Sequence, residues 1–126
     1  MASQQNDGIF GSMISGSALE PNRLVKVSAG TLVYCTATTS DRPIGVTMER
    51  SDAAGDIVKF KYINAPGTFL ISAASTISAG ALAYPAAAGQ VSSTVTISIL
   101  GTALNASGAA NDLIEVIPTY QTDAIV

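Results

Sequence analysis

From Arg23 onward, apolar and polar residues alternate with period two. In Ile57-Val58-Lys59-Phe60-Lys61-Tyr62-Ile63, the residues Val58, Phe60 and Tyr62 fall on one face and Lys59 and Lys61 on the other. A half-buried strand has this pattern. It recurs with Ile114 and Val116 inward and Glu115 outward, and Val95, Ile97 and Ile99 alternating with Thr94, Thr96 and Ser98 predict a further strand. Residues 73–88 are alanine-rich, as helices often are, but Gly80, Pro85 and Gly89 punctuate the region and leave only short β segments. The chain therefore reads as all-β.

Residues 1–22 depart from this alternation. Gly8, Gly11, Ser12, Ser15, Gly16 and Ser17 interrupt Ile9-Phe10, Met13-Ile14 and Leu19, and Pro21 closes the segment. Such a stretch cannot offset its own chain entropy, so it reads either as an arm that orders on a partner or as a frayed terminus. The expected organisation is a flexible N-terminal arm over 1–22, a β domain over 23–118 and a C-terminal tail over 119–126.

Two phrases recur within the β domain. Val27-Ser28-Ala29-Gly30-Thr31-Leu32-Val33-Tyr34 returns as Ile77-Ser78-Ala79-Gly80-Ala81-Leu82-Ala83-Tyr84 at an offset of 50 (78 − 28). Ala53-Ala54-Gly55-Asp56-Ile57-Val58 is echoed by Ala109-Ala110-Asn111-Asp112-Leu113-Ile114 at an offset of 56 (109 − 53), and Gly45 meets Gly101 at that offset. These repeats predict two β modules, 24–63 and 74–118, burying their apolar faces together. Gly30, Gly55, Gly80 and Asn111 stand where turns need positive φ, and Asn is the next residue after Gly to tolerate it. Gly45 and Gly101 interrupt strand-like runs, which marks a bulge, a bend or a close backbone approach. Short, sharply bent strands favour a small barrel.

Composition changes what this barrel is for. Only 12% of the 126 residues are charged and 48% are hydrophobic, against about a quarter charged in an ordinary soluble domain. A surface so short of charge suits a protein covered by partners, because interface cores are depleted of charge. No apolar run approaches the roughly 20 residues of a membrane helix, and residues 1–10 lack the features of a signal peptide. We expect a soluble protein made inside a cell, with no membrane partner. Net charge is −3 and the six basic residues are scattered apart from Lys59 and Lys61, which argues against nucleic acid as a partner.

Candidate chemistry is sparse. The chain has no histidine, so the usual general base and commonest metal ligand is missing. Cys35, the single cysteine, has no imidazole to activate it and fits a small apolar strand position. Asp41, Glu49, Asp52 and Asp56 could offer oxygen ligands to calcium, but their spacing fits no calcium loop, and Asp in turns usually caps backbone. There is no nucleophile elbow and no phosphate-cradling loop. Tyr84-Pro85 and Tyr120 could stack on sugars or a protein, or simply pack. The reading is a non-enzymatic protein without cofactor or metal; a carboxylate enzyme would need two acids facing one cleft.

The ordered set Ser28-Ala29-Gly30-Thr31-Leu32-Val33-Tyr34, Pro43-Ile44-Gly45-Val46, Ala54-Gly55-Asp56-Ile57-Val58, Ile77-Ser78-Ala79-Gly80-Ala81-Leu82-Ala83-Tyr84, Gly101-Thr102-Ala103-Leu104 and Asp112-Leu113-Ile114-Glu115-Val116 resembles the small capsid decoration (cement) proteins of tailed bacteriophages. The likeness covers about residues 23–118. It implies a compact β-barrel of the β-tulip kind found in lambda-type head decoration proteins, a homotrimer, and a place on the outer surface of the phage head. It also implies the major capsid protein as partner, reached by an N-terminal arm. The expected capsid anchors in that arm are Ile9, Phe10, Met13, Ile14 and Leu19. A virion-displayed receptor- or glycan-binding module is the alternative expectation, and it calls for an aromatic-lined groove.

Overall fold

The computed structural model describes residues 9–36, 43–65, 67–95 and 99–118. Within them lie the strands β1 (Phe10–Ile14), β2 (Leu24–Ser28), β3 (Thr31–Tyr34), β4 (Gly45–Thr47), β5 (Ile57–Tyr62), β6 (Phe69–Ser72), β7 (Leu82–Pro85), β8 (Val91–Ser92), β9 (Gly101–Ala103) and β10 (Leu113–Pro118), with a 3-10 turn at Ala87–Gly89. They form two five-stranded antiparallel sheets of identical order, β1-β5-β4-β2-β3 and β6-β10-β9-β7-β8. Each sheet curls until its outer strands meet. Ser15, just past β1, bridges Leu32 of β3, and Ala73, just past β6, bridges Val91 of β8. The chain is all-β, built as two small barrel-like modules in tandem.

The modules share a set of matching backbone and turn bonds. Gly16 donates its amide to Leu32 as Ala74 does to Val91, and Asn22 donates to Thr47 as Gly80 does to Ala103. Leu19 and Ser51 exchange a pair of backbone bonds, as do Ile77 and Ser107. The Asp56 carboxylate accepts the amides of Asp52 and Ala53, and the Asp112 carboxylate those of Gly108 and Ala109. The equivalence runs at an offset of 58 through β2 and β7 (77 − 19), of 59 at β3 and β8 (91 − 32) and of 56 from β4 and β9 onward (107 − 51). Core follows suit: Leu19, Val25, Leu32, Val58 and Phe60 fill the first module where Ile77, Ala83, Val91, Ile114 and Val116 fill the second.

This frame corrects two expectations. The phrase repeated at an offset of 50 does not mark equivalent places. Ser28-Ala29-Gly30 turns β2 into β3, whereas Ser78-Ala79-Gly80 precedes β7, which holds the position of β2 beside its own central strand. The counterpart of Gly80 (φ 84°) is Asn22 (φ 60°), and that of Ala29-Gly30 (φ 51° and 80°) is Ala88-Gly89 (φ 56° and 72°). The same left-handed turn is needed at two different corners of the module, and the two copies of the phrase sit at different ones.

The second correction concerns the expected arm. β1 pairs along its whole length with β5, from Phe10 opposite Lys61 to Ile14 opposite Ile57, and Leu19 is fully buried. The modules therefore begin at β1 and β6, not at residues 24 and 74. Period two exists in β1, with Gly11, Met13 and Ser15 turned inward and Phe10, Ser12 and Ile14 outward. It is hard to see in the sequence because two of the inward residues are small. Of the strand expected over 94–99, residues 96–98 lie outside the described residues, as do 1–8 and the tail 119–126.

Candidate interaction surface

The junction between the modules uses the outer face of the first sheet. Leu24 of β2, Val46 of β4 and Lys61 of β5 stand directly opposite one another. They point away from their own module's core, yet Leu24 is 0% and Val46 2% exposed, because both join the second module's core cluster. Burying two such side chains contributes roughly 1.5–3 kcal/mol each. Polar contacts fix the docking. The Ser72 amide donates to the Asn22 carbonyl at 2.9 Å, the Gly89 amide to the Cys35 carbonyl at 2.9 Å, and the Arg23 guanidinium to the Ala88 carbonyl at 2.9 Å. The Lys61 ammonium donates to the Thr68 carbonyl. The junction thus sets the edge of β6 over the Leu24–Val46–Lys61 row.

The equivalent row of the second module is bare. Leu82 of β7, Thr102 of β9 and Ile117 of β10 stand opposite one another in the same register. Leu82 is 42% and Ile117 46% exposed, and Leu104, the counterpart of Met48, is 47% exposed beside them. A cross-strand apolar row on the outer face of a sheet is what a partner would cover. Sequence reading missed it, because alternation alone cannot tell which strands lie side by side; the signal would have been three outward apolar or neutral positions where the first module has Leu24, Val46 and Lys61.

The residues singled out as anchors separate into two groups. Ile9, Phe10 and Ile14 are exposed on or beside β1, and the Lys59 ammonium lies 4.5 Å from the centre of the Phe10 ring. Met13 is half-buried against the first core, and Leu19 belongs to that core and offers nothing to a partner. Gly55 and Asn111 take φ of 98° and 73° at matching turns. Gly45 and Gly101 are sites of close approach: a Cβ on either would run into the carbonyl oxygen of Lys61 or Ile117.

Potentially reactive groups are occupied structurally. Cys35 is buried in the second core, with its amide bonded to Leu24 and its carbonyl to Gly89. Asp56 and Asp112 cap turns as described, Asp52 pairs with Arg50 at 3.1 Å, and the Glu49 carboxylate accepts the Lys59 amide at 3.0 Å. Asp41 and Tyr120 lie outside the described residues. Among the described residues, no three His, Cys, Asp or Glu side chains are grouped to hold a metal ion. An open cleft of about 160 Å³ lies at the module junction, lined by residues including Val46, Met48, Lys61, Thr68 and Phe69.

No family model and no curated protein matches the chain. Among solved structures, the fold is similar to the N base of the head fiber gp8.5 of bacteriophage phi29, with a TM-score of 0.72 at 18% sequence identity, covering 88% of this chain and 93% of that one. At that identity the likeness is one of fold, and it extends over both modules.

Proposed function

We propose that this protein is a structural component of a bacteriophage virion, a decoration protein that binds the outer surface of the head and strengthens its lattice. The observation that carries this reading is the match of the whole two-module fold to the base of a phage head fiber. Sequence motifs resembling those of head decoration proteins support it from an independent direction, as does a chain with only 12% charged residues, suited to being covered on several sides.

In this reading the major capsid protein is the partner, and the protein has no catalytic role, cofactor or nucleic-acid contact. Buried apolar surface and strand-edge hydrogen bonds bridge neighbouring capsid subunits. Many symmetric copies multiply a modest single contact through effective concentration. The head then resists internal pressure without the protein touching DNA. The segment preceding β1, with exposed Ile9 at its end, is the assigned capsid contact; Leu19, being core, drops out of the anchor set.

Cosedimentation with expanded, undecorated heads tests the proposal. Saturable binding at a copy number related to the lattice symmetry is the expected result, and absence of binding would overturn it. A displayed glycan-binding module is less favoured, since the junction cleft has one aromatic in its lining, Phe69, whose side chain is buried.

A further inference from the structure

We infer that copies of this chain join head to tail, the bare Leu82–Thr102–Ile117 row of one copy receiving the β1 edge of the next. The template is the junction inside the chain. There the Leu24–Val46–Lys61 row receives the edge of β6, and β6 is the counterpart of β1. The second module presents the same row in the same register, with Leu82 and Ile117 exposed. Each molecule thus carries one used junction and the two unused halves of another.

The receiving half and the inserting half are both left unfinished. In the second module Ile71 and Leu100 are buried, in one core cluster with Leu24 and Val46 of the row. Their counterparts in the first module, Met13 and Ile44, are only partly buried, as is Tyr62. Ile14, the counterpart of Ser72, is 51% exposed, and Phe10, the counterpart of Thr68, is exposed as well. In the proposed contact the Ile14 amide takes the role of the Ser72 amide and donates to the Gly80 carbonyl of the next copy, as Ser72 donates to Asn22. Leu82 and Thr102 then take the places of Leu24 and Val46 over Met13 and Ile44, and Ile117 that of Lys61 beside Phe10.

The occupant is a second copy because the internal junction specifies both surfaces, and the full contact is continuous with one the chain already makes. Such a contact is heterologous: the two surfaces differ, and repetition closes a ring when the rotation allows. Self-association of this kind takes place in solution, with no capsid present.

Light scattering decides it. The wild-type chain should run at a fixed multiple of 12.7 kDa. A receiving-face variant, Leu82→Arg with Leu104→Asp, and an inserting-face variant, Ile14→Asp, should each fall to 12.7 kDa with unchanged far-UV circular dichroism, since all three positions are exposed. Mixed together, the two variants should form a 1:1 dimer and stop there, because one sound junction survives between them. An interface that pairs like with like would not be rescued by mixing. A monomeric wild type at tens of micromolar, variants that keep the wild-type mass, or a mixture that stays monomeric would each overturn the inference.

Discussion

Gly11 faces Phe60 across β1 and β5, and a Cβ on Gly11 would lie 2.9 Å from the tip of the Phe60 ring and 2.6 Å from the Tyr62 hydroxyl. At the equivalent place in the second module the sizes are exchanged: Phe69 faces Val116. One ring fills each position, supplied from opposite strands. Gly11→Phe alone should therefore overpack the first core and cost about 1–3 kcal/mol or more. Phe60→Val alone opens a cavity and should cost up to about 3 kcal/mol, below the usual range for Phe to Ala. Combined, they recreate the second module's pair, and urea denaturation should recover at least about 1 kcal/mol relative to the sum of the singles. Strict additivity would mean that the two positions do not share one space.

The close approaches at Gly45 and Gly101 predict a matched pair of losses. The obstructing atoms are the carbonyl oxygens of Lys61 and Ile117, held by the strands themselves, so neither can swing aside as a side chain would. Gly45→Ala and Gly101→Ala should each lower stability by about 1–3 kcal/mol. Thermal unfolding of either variant at the wild-type temperature would contradict the geometry.

Much of the strand content could be seen in the chain because Ile57–Tyr62 and Leu113–Pro118 alternate cleanly and their Asp-led turns repeat at 56 residues. β1 was hidden because its inward residues include Gly11 and Ser15, whose smallness is explained only by Phe60, Tyr62 and Ser51 filling the space. The 50-residue echo misled because Ser-Ala-Gly reports a turn's conformation and not its place in the module; Asn22 and Gly80, the true counterparts, share only a positive φ. The Leu82–Thr102–Ile117 row joins residues far apart in the chain through register, a property of strand pairing that local pattern does not encode.

Ser107 ties the second module across its turn, donating to the Ser75 carbonyl at 2.7 Å and accepting the Ile77 amide at 3.0 Å. Ser107 and Ile77 are buried, so water cannot replace the hydroxyl at the Ile77 amide. Ser107→Ala should cost about 1–3 kcal/mol, the range for leaving buried backbone groups with a missing side-chain partner. A midpoint shift in urea with an unchanged slope is the expected signature; no shift would mean that the neighbouring backbone bond between Ile77 and Ser107 suffices.

Removing residues 2–20 would delete β1 and Leu19 together, stripping β5 of its neighbour and the first core of a fully buried side chain. That truncation should unfold the first module, since a Leu-sized loss alone costs about 2–5 kcal/mol and five strand pairings go with it. Removing 2–8 spares every described strand and should leave the wild-type circular dichroism and melting temperature. If the segment before β1 is the capsid contact, this shorter truncation stays folded and no longer cosediments with expanded heads. Retained binding would move the contact onto the modules themselves, and a loss of folding would mean that residues 2–8 belong to the first core.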